Sequence, residues 1–183
     1  MDRAAALEIV KRHTNKEITY RHLLSVEGVM RALAEKFGED QERWGWAGLF
    51  HDLDYDVTFE DHAQHPQMGV GWLRAEGFDD EEVLQAIMNH RGFDPGHDLM
   101  SRALIHADGV AGLLVACALV RPEKANGMKV SSVKKKLKEK SFAPGVEREN
   151  VHNAEESLGM TLDDFLAVSI TGLQRVAPEI GLG

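Results

Sequence analysis

The chain has 183 residues, of which 43% are hydrophobic and 28% charged, and its formal net charge is −9. This size and composition are typical of one soluble globular domain with its own core. The acidic balance disfavours binding of long nucleic acid, which depends on lysine and arginine neutralising phosphates. No apolar run reaches the roughly 18 residues that cross a bilayer, so we expect no membrane partner.

Cys117 is the only cysteine. A single cysteine rules out an internal disulfide and a thiolate cluster for zinc, so any metal must be held by histidine and carboxylate side chains. The first ten residues include Asp2, Arg3 and Glu8 and do not resemble a signal peptide. We therefore expect a cytoplasmic protein.

Apolar residues recur at helical spacing along almost the whole chain, whereas alternating, strand-like segments are scarce. The predicted fold class is all-α, a single-domain helical bundle. Capping residues such as Asp2 and Asp40, and stops such as Gly38, delimit the helices. The predicted helices cover about residues 2–12, 17–37, 40–52, 66–76, 79 or 80 to 90, 99–119, 147–158 and 161 or 162 to 176.

Three segments stand out between or within these helices. Residues 53–61 are acidic and lack helical apolar spacing, and residues 91–98 contain Gly92, Pro95 and Gly96, so both are predicted loops. The helix over 99–119 is apolar nearly all round, which predicts the central buried helix. We find no linker, so residues 1–183 are predicted to form one domain. It has a core at about 20–110 and C-terminal helices at about 129–177 packed on that core.

Four histidines and two aspartates mark the candidate site. His22 lies inside the second helix, His51 stands beside Asp52, His65 precedes a proline, and His90 ends a helix. Asp108 lies in the middle of the predicted buried helix, where an unpaired carboxylate is costly unless a cation or several donors compensate it. His22 and His51 are 29 positions apart (51 − 22), so two antiparallel helices can bring them together.

The order of these residues resembles the HD-domain phosphohydrolase superfamily. An early histidine, an adjacent His-Asp pair and a distant aspartate match His22, His51-Asp52 and Asp108, within a resemblance that spans about residues 20–108. The local signature is Trp46-Ala47-Gly48-Leu49-Phe50-His51-Asp52-Leu53-Asp54-Tyr55. The resemblance implies a helical bundle of the HD type and a metal-dependent phosphohydrolase.

The resemblance also implies a ligand set. His22, His51, Asp52 and Asp108 would hold one divalent ion, and His65 and His90 sit where two-metal members place two further histidines, with Asp52 bridging. His62 is a weaker competitor for the place of His65. Ligand type does not choose among Mn²⁺, Fe²⁺, Co²⁺, Ni²⁺, Zn²⁺ and Mg²⁺, or between one ion and two.

The expected reaction is attack of a metal-activated water on a phosphate ester. Asp52, Asp54 and Asp56 are the candidate catalytic carboxylates. Phosphate-binding candidates are Arg91, Arg102 and Lys134, the last from a basic stretch at 129–140 that otherwise forms a solvated helix face.

The predicted substrate is a small phosphorylated compound, a nucleotide first of all. A nucleoside monophosphate leads, ahead of a dinucleotide or cyclic nucleotide. Leu53-Asp54-Tyr55 replaces the Ile-Gly-Lys of many relatives and no Gly-Tyr-Pro follows His90, which argues against the cyclic-dinucleotide branch. Two alternatives stay open: a regulatory nucleotide-binding module without turnover, and a structural helical protein. The oligomeric state is not predicted.

Overall fold

The computed structural model describes residues 1–92, 94 and 96–183. This described part consists of α-helices and one 3₁₀ turn (His62–Gln64) and has no β-strand, which confirms the all-α prediction. The helices are α1 (Arg3–His13), α2 (Glu17–Phe37), α3 (Gln41–Phe50), α4 (Tyr55–Thr58), α5 (Gln67–Ala75), α6 (Glu81–Asn89), α7 (Leu99–Leu119), α8 (Val130–Lys138), α9 (Arg148–Leu158) and α10 (Leu162–Val176). Pro95, in the predicted 91–98 loop, lies outside the described residues.

Side-chain caps explain why most helix boundaries match the sequence. Asp2 accepts a hydrogen bond from Ala5 N, and Asp40 accepts from two backbone amides in the first turn of α3. Gly38 ends α2 with φ 74°, a left-handed conformation that favours glycine. Because these signals are local, the sequence is enough to place them.

The predicted loop at 53–61 is wrong in part, because it contains the short helix α4. The carbonyl oxygen of Asp54 accepts hydrogen bonds from the backbone amides of Val57 and Thr58, and also from the Thr58 hydroxyl. Val57 and Phe59 are about half exposed, so this turn has no buried apolar face. A single turn of this kind has no periodicity for a sequence pattern to detect.

Helix α7 is the centre of the bundle and packs against α2, α3, α6, α8, α9 and α10. By length and composition alone it could cross a membrane, but 61% of its most apolar 18-residue window is buried inside the protein. That burial is the behaviour of a core helix. One apolar core extends from Ala6 to Leu182 and includes residues of the C-terminal helices. We therefore propose that residues 1–183 form one domain.

Helices α2 and α10 cross at a pair of glycines. A Cβ atom on Gly28 would lie 2.5 Å from the carbonyl oxygen of Gly172, and a Cβ on Gly172 would lie 2.4 Å from that of Gly28. Both distances are shorter than real contacts, so only glycine at each position permits this close crossing. The crossing holds α10, and the segment after it, against the helix that contains His22.

Candidate metal centre

All six side chains predicted as ligands come together in the structure. His22 projects from α2, His51 and Asp52 follow α3, His65 precedes α5, His90 follows α6, and Asp108 projects from α7. The antiparallel packing of α2 on α3 brings His22 and His51 to a ring-centroid distance of 5.3 Å. Separate helices thus build one cluster, as the order of the residues predicts.

One side of the cluster joins His22, His51 and Asp108. His22 Nε2 lies 3.0 Å from Asp108 Oδ1, and His51 Nε2 lies 3.8 Å from the same oxygen. The second carboxylate oxygen of Asp52 faces this side, 3.5 Å from His51 Nε2 and 3.9 Å from His22 Nε2. Two imidazole nitrogens and two carboxylates therefore surround one point.

The other side joins His65 and His90. Asp52 Oδ1 lies 3.3 Å from His65 Nε2 and 3.4 Å from His90 Nε2, and the two nitrogens are 3.2 Å apart. The two oxygens of Asp52 therefore face different pairs of histidines. This is the placement a bridging carboxylate requires.

Hydrogen bonds on the outer ring nitrogens set the tautomers of two histidines. His51 Nδ1 donates to the carbonyl oxygen of Gly48 at 2.9 Å, and His90 Nδ1 donates to that of Ile87 at 2.6 Å. A carbonyl oxygen only accepts, so the proton of each neutral imidazole sits on Nδ1 and the lone pair of Nε2 points into the cluster.

Asp54 performs the same task for His65. Its Oδ1 accepts from His65 Nδ1 at 2.6 Å, and its Oδ2 accepts from the backbone amide of Gly69 at 2.8 Å. Asp54 is fully buried, and a Cβ on Gly69 would come within 3.2 Å of its Cγ, so a side chain there would crowd it. The carboxylate thus orients His65 as outer partners orient metal-binding histidines.

The chemistry of this cluster fits a divalent cation. His51 Nε2 is buried and has no hydrogen-bond partner among the residues that the structure describes, which is costly for a polar atom unless a ligand satisfies it. In the described part of the chain, two sets of three residues have ligand atoms mutually within 4.8 Å, namely His22, His51 and Asp108, and His51, Asp52 and His90. Nitrogen and oxygen ligands without thiolate suit the first-row transition metals and Mg²⁺.

The pKa values of the cluster reflect its excess of negative charge. Burial alone would lower the pKa of His51, but the carboxylates of Asp52 and Asp108 outweigh it and raise that pKa to about 9. Burial would also lower the pKa of His65, but its hydrogen bonds to Asp52 and Asp54 outweigh burial and raise that pKa to about 9. Although burial would raise the pKa of Asp52, the charge of His51 helps hold it well below its usual range. Protons on imidazole thus balance the carboxylates, and a cation would replace those protons.

The cluster forms part of the wall of an open cavity of about 1210 Å³. His22, Asp52, Asp108, His65 and His90 line it, so these ligand atoms are accessible to a small molecule. The cavity continues along α7 beyond Asp108. A compound much larger than a single phosphate fits there.

Arg91, one of the predicted phosphate-binding residues, lines this cavity. Its Nη1 atom donates to the carbonyl oxygens of His62 and His65 and so ties the turn before α5 to the end of α6. The guanidinium is exposed at the cavity wall, where a substrate phosphate could reach it.

The described residues that line the cavity do not include Asp56, Arg102 or Lys134. Arg102 donates to the carbonyl oxygen of Ser157, and Lys134 is paired with Asp163 on the exposed face of α8. Each side chain thus connects helices of the scaffold. Residue type alone does not reveal which way such a side chain points.

Asp56 holds the connection between α1 and α2. Its carboxylate accepts from the backbone amides of Asn15 and Lys16 at 2.7 and 2.8 Å, and from the Thr19 hydroxyl at 2.6 Å. Burial would raise the pKa of Asp56, but these hydrogen bonds lower it. Its contacts are those of a capping group rather than of a reacting one.

Tyr55 lines the cavity and is absent from the predicted site. Its ring packs edge-on to that of His65 at 5.8 Å. Burial and the charges of Asp52 and Asp108 raise the pKa of Tyr55, so its hydroxyl stays protonated and can donate a hydrogen bond. The sequence does offer one sign that Tyr55 belongs to the site, because it lies only three residues after Asp52. The pattern of apolar residues does not reveal the helical turn that begins there.

Comparison with known proteins agrees with this geometry. A profile of the HD domain family matches residues 19–139, and the chain belongs to this family. It is an HD-type metal-dependent phosphohydrolase.

Two similar proteins share one name, bis(5′-nucleosyl)-tetraphosphatase, symmetrical. The protein from Halalkalibacterium halodurans is 31% identical over 128 residues, which cover 59% of this chain and 68% of that protein. The protein from Bacillus subtilis is 29% identical over 128 residues, with the same shares covered.

Proposed function

We propose that this chain hydrolyses dinucleoside polyphosphates, with a bis(5′-nucleosyl) tetraphosphate cut at its centre into two nucleoside diphosphates. The names of the two relatives point to this substrate. This proposed substrate replaces the nucleoside monophosphate, which is the first expectation from the sequence alone. The observation that carries the proposal is the position of Asp52 between two pairs of histidines, at the wall of a cavity of about 1210 Å³. This volume exceeds the range of about 300–1,000 Å³ usual for small-molecule sites, in keeping with a substrate of two nucleosides.

Two divalent ions fit the proposal. His22, His51, Asp52 and Asp108 would hold the first, and His65, His90 and Asp52 the second. When bound, such ions acidify a water molecule and withdraw negative charge from phosphoryl oxygens. The choice of metal is left to experiment.

The residues of the chain supply orientation. Asp54 and two backbone carbonyls keep the Nε2 atoms of His65, His51 and His90 aimed inward. Tyr55 offers a protonated hydroxyl and Arg91 a guanidinium on the same wall, and both can donate to phosphate oxygens. Together they would hold the polyphosphate against the cluster while it is cleaved.

Product analysis tests the proposal. Purified protein is incubated with bis(5′-adenosyl) tetraphosphate or AMP and, in turn, Mn²⁺, Fe²⁺, Co²⁺, Ni²⁺, Zn²⁺ or Mg²⁺, and nucleotides are separated by chromatography. We expect ADP as the sole product and a kcat/KM for the dinucleotide at least about tenfold above that for AMP. Faster release of phosphate from AMP, a mixture of ATP and AMP as products, or tight binding without turnover would each contradict the proposal.

Asp52→Ala is the decisive variant. It removes the carboxylate shared by both sides of the cluster, and we expect kcat/KM to fall by about 10³-fold or more, since metal activation supplies several kcal/mol. Asp163→Ala is the matched control, because Asp163 is an exposed carboxylate paired with a surface lysine. Wild-type rates in Asp52→Ala would refute the assignment of the site.

A further inference from the structure

Helix α7 leaves one stripe uncovered between Asp108 and Leu119. Within this fully described segment, the positions that are not fully buried after Asp108 recur at helical spacing and are small or apolar: Gly109, Gly112, Val115, Ala116 and Leu119. At a rise of about 1.5 Å per residue the stripe extends roughly 16 Å from Asp108. We call the part of the cavity along this stripe the α7 groove.

The α7 groove belongs to the same cavity as the metal cluster, so a single ligand can occupy both. Other elements form its walls: the start of α2, the loop before α9, α9 itself and the segment after α10. The wall residues are Ile18, Val146, Glu147, Asn150, Ile180 and Leu182. Most of them are apolar, and hydrogen-bonding groups come from Glu147 and Asn150.

Two glycines set how closely the wall of the groove approaches α7. A Cβ on Gly112 would lie 3.5 Å from Val146 Cγ2, an ordinary contact, so the fold has room for a small side chain there. A larger side chain at position 112 would extend into the space between α7 and this wall. At Gly109, nearer the cluster, a Cβ would lie 2.9 Å from Asn150 Cβ, so the wall packs closely on α7 there and the more open part of the groove lies towards Leu119.

The charges of the groove favour a neutral occupant over a phosphate. Among the described residues that line the cavity, the cations are His22, His62, His65 and His90 when protonated, and Arg21 and Arg91. Arg91 and most of these histidines belong to the cluster end. Arg21 is paired with Glu17 at 2.8 Å, and Glu147 adds a negative charge to the wall. A flat ring with polar edges, rather than an anion, suits such a surface.

We infer that the α7 groove binds one nucleoside of a dinucleoside polyphosphate, with the base against Gly112, Val115 and Leu119 and the phosphates at the cluster. The inference rests on the proposed function and adds to it the place where the second nucleoside is recognised. Recognition of this kind raises the preference for a dinucleotide over a small phosphodiester, because only the dinucleotide fills the groove.

Two matched pairs of variants test the groove. Leu119→Asp puts a charge on the groove wall, while Val120→Asp puts it on the next residue, which is equally exposed and does not line the cavity (66% and 63%). Gly112→Leu fills the groove, while Gly71→Leu adds the same side chain to a glycine of α5 that has open space around it. If Gly112→Leu fails to fold, the Leu119→Asp and Val120→Asp pair still tests the groove, because both residues are exposed.

Two measurements are made on each variant. The first is the ratio of kcat/KM for bis(5′-adenosyl) tetraphosphate to that for bis(4-nitrophenyl) phosphate, which we expect to fall about tenfold in Leu119→Asp and Gly112→Leu and to hold in both controls. The second is binding of adenosine labelled with a fluorescent methylanthraniloyl group to chelator-treated protein. We expect its affinity to fall in the same two variants only.

The outcomes separate the two proposals. If wild-type protein does not cleave the dinucleotide yet binds the labelled adenosine in a groove-dependent way, the proposed function fails and the nucleoside site stands. If wild-type protein cleaves the dinucleotide and both groove variants match their controls in ratio and in binding, the groove inference is overturned and the proposed function stands.

Discussion

Two groups of side chains in the metal cluster, which differ in exposure, also differ in how they are held. The side chains of His51, His65 and His90 are at most 5% exposed, and each outer nitrogen has a fixed acceptor. Those of His22 and Asp108 are 27% and 36% exposed and face the cavity. We call these the buried half and the open half. Packing and hydrogen bonds organise the buried half in advance, whereas the open half gives ligands access to the cluster.

The largest effect that separates the halves is expected in metal stoichiometry. Asp52→Ala removes the carboxylate that faces both pairs of histidines, so we expect almost no tightly bound metal and a loss of activity of about 10³-fold. His22→Ala removes a ligand of the open half alone and should leave one ion per chain. Metal analysis by mass spectrometry after gel filtration measures both, and equal metal content in the two variants would show that the halves are not distinct.

Asp54→Asn sharpens the comparison within the buried half. It keeps the shape of the side chain but removes the charge that fixes His65, and we expect metal affinity or kcat to fall about 10- to 100-fold. A structural role alone would lower the melting temperature without changing metal affinity, so titration with Mn²⁺ distinguishes the two. Asp163→Asn serves as the surface control.

The pH dependence of stability follows from the protons on the buried half. In metal-free protein the pKa values of His51 and His65 are about 9, above the ordinary 6.5, so the folded state holds more protons between these values. Their stabilisation is therefore complete below pH about 6.5 and lost as pH rises towards about 9. Thermal melts of chelator-treated protein should show a falling melting temperature over this range. The double variant His51→Ala/His65→Ala should flatten the profile, and a rising profile in the wild type would contradict the assignment.

The smallest expected effect lies outside both halves, at Asp56. Asp56→Ala removes the acceptor for the α1–α2 connection, so we expect a loss of about 1 kcal/mol, a fall in melting temperature of about 2–4 °C, and kcat within about twofold of wild type. A kcat more than about tenfold lower at an unchanged melting temperature would instead restore the catalytic role that the sequence indicates.

Local signals account for what the sequence predicts well. The bounds of α2 and α7 follow from long apolar periodicity and the glycine after Phe37. The spacing of His22 and His51 permits them to meet, and the resemblance to the HD family implies that Asp52 and Asp108 join them. Tyr55 and the direction of Arg102 escape prediction, because a four-residue helix has no period and a long side chain reaches several partners.

The α7 groove escapes prediction for a different reason. The composition of α7 indicates burial on every side, and most of the helix is in fact buried. Which stripe stays uncovered depends on where α9 and the segment after α10 come to rest, and those are distant in the chain. Such long-range placement is a property of the packed molecule rather than of any window of sequence.

The glycine pair that joins α2 and α10 has a bearing on catalysis. The amide of Leu182 donates to the carbonyl oxygen of Ala177, and that of Ile180 to the carbonyl oxygen of Val176, so hydrogen bonds connect this segment to the end of α10. A methyl group at Gly28 or Gly172 would push α10 away from α2, and with it Ile180 and Leu182 on the wall of the α7 groove. If the α7 groove binds a nucleoside as we propose, the size of substrate that the protein accepts depends in part on this backbone contact between two helices, at a distance from any residue that would meet the phosphates.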